Sequence, residues 1–228
     1  MKGVLYQGED DYPHLTWGVL EKVHSKYLIE EPRDAMYKVS LKLVEENWNN
    51  LTELSNSTGV LLLTWNSAFY RYGTLNYELV QKSLVKHKEK LDEFRKRSIL
   101  SLEENEKELI RGIYLDLLLS LAAKGRNGRK NAGKVAYSPV SVGKVLHLLC
   151  PGFFPLWDDN IAKAYGCKWT STEHSFDSYW HFMLISLKQV FDLSNQGDAP
   201  LTLRNLTVLK LVDEYNYVCF TEKKMSLV

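Results

Sequence analysis

Residues 141–160 read SVGKVLHLLCPGFFPLWDDN, and their folding decides the rest. Residues 141–150 form a short apolar helix that ends before Pro151, because proline disfavours helical backbone in the residue ahead of it. Asp158 then stands where a side-chain oxygen accepts the first free amides of a second helix, over residues 159–165. Gly166 is placed to stop that helix. One lysine, Lys144, opens the first helix, and one carboxylate, Asp158, opens the second, fourteen residues later.

The surroundings of this stretch are biased in charge. Between Asp116 and Asp158 lie 41 residues without an acid, where 28 acids in 228 residues would place about five. The same window carries Lys124, Arg126, Arg129, Lys130, Lys134 and Lys144, five of them in or beside the loop GRNGRKNAG at 125–133. Gly and Asn make that loop flexible, and its charge suits a polyanion. The net charge of the whole chain is only +1, so this local bias says more about partners than the total does.

Other segments give the class. Hydrophobic residues make up 45% and charged residues 25%, values of a globular chain large enough for one good core or two small domains. Apolar runs such as residues 60–63 are too short to span a bilayer. The start lacks the pattern of a secretory signal, so a cytoplasmic protein without membrane contact is expected. Cys150, Cys167 and Cys219 are odd in number and widely spaced, which argues for buried free thiols rather than a disulfide framework or metal cluster.

Residues 1–33 are irregular in pattern, with breaks at Tyr12-Pro13 and Glu31-Pro32. A helix is predicted from Asp34, with Met36, Val39, Leu43 and Val44 on one face, ending near Asn56, Ser57 and Gly59. A second, apolar helix follows over 60–70, then a turn at Gly73-Thr74 and a helix from Asn76 to Lys90. Residues 81–111 mix both charges and form an exposed face. Ser101-Leu-Glu-Glu has the form of a capping box opening a helix to Ala123. Residues 176–191 and 201–218 complete the pattern, the last with enough Thr and Val to leave a strand open. The expected fold is all-α.

The order of a hairpin-like turn, a lysine on the first turn of an apolar helix, a loop, and an aspartate capping the next helix resembles the core of the helix-hairpin-helix DNA glycosylases. The resemblance covers residues 60–166, leaving 1–59 and 167–228 unexplained. It implies a two-lobed helical fold with a cleft, in one domain spanning 1–228. It makes Lys144 the Schiff-base nucleophile and Asp158 the catalytic carboxylate, with Asp159 in reserve. Upstream, VLLLTWNSAFYR at 60–71 matches the helix whose polar end plugs the gap left by a flipped base. Among Thr64, Asn66 and Ser67, Asn66 is the wedge, and Trp65, Phe69, Tyr70 and Trp157 line the base pocket. Arg126, Arg129, Lys130, Lys134 and the amides near Gly143 bind DNA phosphates. No metal and no cofactor is implied, and the chain is expected to act as a monomer on double-stranded DNA.

This sequence departs from that pattern in two places. The spacing of Lys144 and Asp158 is shorter than is usual in the family. Pro139-Val-Ser-Val-Gly143 also lacks the Gly-x-Gly that brings backbone amides to a phosphate. The chemistry itself is coherent. A lysine attacks carbon only when neutral, and Val142, Val145 and Leu146 supply the apolar setting that favours that form. A carboxylate stabilises the oxocarbenium-like sugar formed as the base leaves. Imine formation through Lys144, and hence strand cleavage, is favoured over a water nucleophile. Repair and defence against modified phage DNA would use the same chemistry. The competing expectations are a nucleic-acid-binding protein without catalysis and an all-α interaction protein.

His147 is expected to be structural, as are Trp169, Trp180 and Phe182. His174 and His181 lack a carboxylate pattern for a metal.

Overall fold

The computed structural model describes residues 11–31, 34–71, 73–125 and 132–222. They are mostly helical, with three short strands. In chain order the helices are α1 (Trp17–Glu30), α2 (Asp34–Glu46), α3 (Leu51–Trp65), α4 (Ser67–Tyr70), α5 (Tyr77–Arg95), α6 (Lys107–Ser120), α7 (Pro139–Leu149), α8 (Asp159–Ala164), α9 (Ser175–Ser194) and α10 (Val208–Asn216). The strands are β1 (Gly73–Thr74), β2 (Ala123–Gly125) and β3 (Val135–Ala136). No helix among the described residues is long and apolar enough to cross a membrane.

The chain divides into two compact units, named here by sequence position. The central unit comprises residues 33–95 and 103–150, and the terminal unit residues 1–32, 96–102 and 151–228.

In the central unit α7 packs on α2, α3 and α6, and α3 packs on α2 and α5. Val142, Val145 and Leu146 of α7 are fully buried with Leu54, Leu61 and Leu62 of α3. Each such side chain stabilises the unit by about 1.5–3 kcal/mol relative to exposure. Helix α7 starts with Pro139, whose missing N–H costs nothing in the first turn. Its cap is Ser138, whose hydroxyl accepts the Ser141 amide at 3.2 Å.

Three features here differ from the sequence reading. Helix α3 does not end near Gly59 but runs through it. A Cβ at Gly59 would lie 2.4 Å from the Tyr77 hydroxyl, so this glycine admits a neighbouring ring and breaks nothing. The break lies earlier, where Asn50 caps α3 by accepting the Glu53 amide at 3.3 Å. Gly73-Thr74 is a strand, paired antiparallel to β2, which pairs antiparallel to β3. Strands of two or three residues carry no alternation to read. The capping box is formed by Glu103 and Glu106, not Ser101, and leads through a 3-10 turn into α6.

In the terminal unit α1 packs on α10, and α9 packs on α10 and on the 3-10 turn Ile99–Ser101. Ile99, Val190 and Leu209 form a buried cluster, and the Ile99 amide donates to the Gly152 carbonyl at 2.8 Å. The expectation that residues 1–33 are irregular fails at α1. Thr16 caps it, and Leu20, Val23 and Tyr27 are buried at helical spacing. Residues 201–218 are helical from Val208, after a 3-10 turn at Leu201–Leu203. The cysteines are free and buried, Cys150 in the central unit and Cys167 and Cys219 in the terminal unit. Burial pushes the Cys150 thiol up and the Cys167 thiol up to about 12.

Candidate catalytic residues and their surroundings

Asp158 sits in extended backbone ahead of α8, as the sequence predicts. Its Oδ1 accepts the amides of Asn160 and Ile161, both at 2.8 Å. Its Oδ2 accepts the Thr221 hydroxyl at 2.7 Å. Three donors therefore hold one half-buried carboxylate in a fixed place. Asp159 is exposed in the first turn of α8. Gly166 follows with φ of +69°, the left-handed conformation that ends helices.

Trp157 corrects the sequence reading. It is 1% exposed, and Trp169, Tyr179 and Phe182 surround it with centroids 5.0, 5.0 and 5.9 Å away. Its ring belongs to the aromatic core of the terminal unit and offers no face to a flipped base.

Lys144 lies in the central unit. Its ammonium donates to the Trp65 carbonyl at 2.6 Å and stands 5.9 Å from the centre of the Trp65 ring. Trp65 is the last residue of α3, so the lysine sits where the helix presents unpaired carbonyls and partial negative charge. The apolar neighbours expected around it, Val142, Val145 and Leu146, are buried inside the unit. The Trp65 ring stacks on Tyr37 at 5.4 Å. The Tyr37 hydroxyl in turn lies 3.0 Å from Nε2 of the fully buried His147.

Asn66, the expected wedge, has both amide hydrogens engaged. They go to the hydroxyls of Ser138 at 3.1 Å and Ser141 at 2.8 Å, joining the end of α3 to the start of α7. Tyr70 is buried, donating to the Leu121 carbonyl at 2.8 Å and lying 3.1 Å from the Ser141 hydroxyl. Burial pushes its phenol up to about 12. It is a strut between elements rather than a pocket wall. Phe69 is half-buried and meets Tyr70 edge-on at 4.9 Å.

Gly143 is buried within α7, in place of the degenerate hairpin that residues 139–143 suggest. Its amide belongs to the helix rather than to an exposed turn, because Pro139 starts the helix four residues earlier. Arg126, Arg129 and Lys130 fall outside the described residues. Lys134 is described and exposed, just ahead of β3. The ends of the basic loop are fixed by pairing of Ala123 with Ala136 and Lys124 with Val135.

Lys144 and Asp158 belong to different units, and each is held within its own. Thr221 and Tyr37 were not legible as partners of Asp158 and Trp65. They lie 63 residues from the one and 28 from the other, and neither stands in a motif. No family model matches the chain, and no curated protein or solved structure matches it either.

Proposed function

We propose that the chain is a DNA N-glycosylase of the helix-hairpin-helix kind. It would turn a damaged or modified base out of the duplex and hydrolyse its bond to the sugar. A two-lobed arrangement is part of this reading. The observation that carries it is the fixation of Asp158 by two amides and one hydroxyl. A carboxylate held this way stabilises positive charge developing on a sugar without having to reorient as the bond breaks. The acid-free basic segment, with Lys134 exposed at its end, supports a phosphate-bearing partner.

The hydrogen bond of Lys144 to the Trp65 carbonyl refines the chemistry. To attack carbon the amine must lose a proton and leave a helix end that favours its charge. We therefore assign the attack to water, which yields an intact abasic site, rather than to the imine that the sequence alone favours. Lys144 then braces the end of α3, the segment that carries Asn66.

Four duplexes test this, each with a single uracil, hypoxanthine, 8-oxoguanine or 1,N6-ethenoadenine, scored for abasic sites. Excision that disappears in Asp158→Asn supports the reading, and undiminished excision by that variant refutes it. Borohydride should trap no protein–DNA adduct.

The engagement of Lys144 also favours a second reading, a nucleic-acid-binding protein without catalysis. It predicts salt-dependent duplex binding, no excision by the wild type, and no change of affinity in Asp158→Asn.

A further inference from the structure

We infer that Thr221 is the positioning residue of the Asp158 carboxylate, delivered to it by a π-helical turn at the end of the described chain. The inference rests on the glycosylase reading for the role of Asp158 and adds a residue to it.

A carboxylate offers about four lone-pair positions. Two on Oδ1 are filled by the Asn160 and Ile161 amides. One on Oδ2 is filled by Thr221. Among the described residues, the position left over is therefore on Oδ2, the oxygen that Thr221 holds. The two amides fix where Oδ1 sits but leave the carboxylate plane a soft torsion to turn about. The Thr221 hydroxyl removes that freedom and sets the direction in which the last lone pair points.

The backbone explains how Thr221 reaches this position. Tyr217–Thr221 is a π-helical turn, closed by the Glu222 amide on the Tyr217 carbonyl at 2.9 Å, five residues back. Such a turn holds one residue more than an α-helical one, so the side chains after it are rotated by about 100° from the register of α10. The turn is anchored on several sides. The Tyr217 hydroxyl lies 2.6 Å from Glu31 Oε2 and 2.8 Å from Glu222 Oε1. Its ring meets Tyr27 edge-on at 5.9 Å, and Phe220 meets Tyr165 edge-on at 5.6 Å.

The same segment also grips the far end of α8. Tyr165, which follows the last residue of α8, donates to Asn216 at 2.6 Å and accepts from Gln189 at 3.1 Å. Both ends of α8 are thus tied to residues 216–221, at Asp158 through Thr221 and at Tyr165 through Asn216. Such a clamp holds the carboxylate more rigidly than an ordinary cap requires.

The test compares Thr221→Val, which keeps the shape and loses the hydroxyl, with Thr221→Ser, which keeps the hydroxyl. Single-turnover excision is measured on whichever of the four duplexes the wild type cleaves, with duplex affinity measured in parallel. Thr221→Val should slow excision about 10- to 100-fold, as expected for loss of a hydrogen bond to a charged group, at unchanged affinity. Thr221→Ser should restore most of the rate. Equal rates in Thr221→Val and wild type overturn the inference. A crystal structure of Thr221→Val gives a reading independent of DNA. The Asp158 carboxylate should turn or adopt several orientations, and one unchanged orientation overturns the inference. If no duplex is cleaved, or Asp158→Asn cleaves normally, the glycosylase reading falls, and the crystal structure still decides the role of Thr221. Should Thr221→Val not fold, Thr221→Ala replaces it in both measurements.

Discussion

The two candidate residues are both fastened at helix ends, but in opposite ways. Asp158 caps its own helix, α8, by accepting amides two and three residues ahead. Lys144 closes a helix that is not its own, donating to Trp65 at the end of α3, 79 residues earlier in the chain. The first is a local device that leaves a carboxylate oxygen with capacity to spare. The second uses a charged group on tertiary structure. A charge that ends a foreign helix has a structural job, and chemistry must compete with it; a charge that caps its own helix can keep both.

The comparison can be broken at several points, taken from the largest expected effect downward. Trp157→Ala, beside Asp158, should destabilise the terminal unit by about 3–5 kcal/mol, the range for a large buried aromatic. Urea unfolding measures this, and a loss below ~1 kcal/mol would return Trp157 to the surface as a base-pocket residue. Asp158→Asn should lower excision at least ~100-fold while leaving the unfolding midpoint nearly unchanged, because asparagine caps as well as aspartate. A large drop in midpoint would mean that the charge is structural after all.

Tyr37→Phe leaves the buried His147 ring nitrogen without the Tyr37 hydroxyl and should cost about 1–3 kcal/mol. It sharpens the account of Lys144, since Tyr37 also supports the Trp65 ring. Lys144→Met keeps the aliphatic stem and loses the bond to Trp65, for about 1 kcal/mol. If this variant were fully stable and the wild type formed a borohydride-trapped adduct, Lys144 would be a nucleophile and the contrast with Asp158 would fail. Smallest is Lys134→Ala. It should weaken binding to every duplex alike and flatten the salt dependence by about one unit.

The contrast also explains what the sequence disclosed. Asp158, Gly166 and Pro151 act on backbone within a few residues, so helix α8 and the C-terminal end of α7 were legible, whereas the start of α7 at Pro139 was read as a hairpin. Gly59 was misread because its reason is a tyrosine eighteen residues away, and glycine carries no mark of whether it ends a helix or admits a ring. Helix α1 was missed although Leu20, Val23 and Tyr27 have helical spacing, because the flanking prolines drew the reading toward irregular chain. The engagement of Lys144, Asn66 and Tyr70 was illegible in principle. Each bond joins segments 50 or more residues apart, and nothing in residue type separates an anchor from a ligand contact.

The buried cysteines give the molecule a built-in clock for opening. With their thiols pushed up by burial, Cys150 and Cys167 react with an alkylating reagent only when the surrounding structure parts. Cys150 reports on the central unit and Cys167 on the terminal one, so their labelling rates give the opening free energy of each half separately. The same thiols set an alkaline limit. A thiol whose folded value is raised contributes stability that is complete below the unfolded value of about 8.5 and is lost as pH rises past it. The unfolded chain ionises first, so both halves should loosen in mild alkali, and the order in which the two cysteines become reactive tells which half yields.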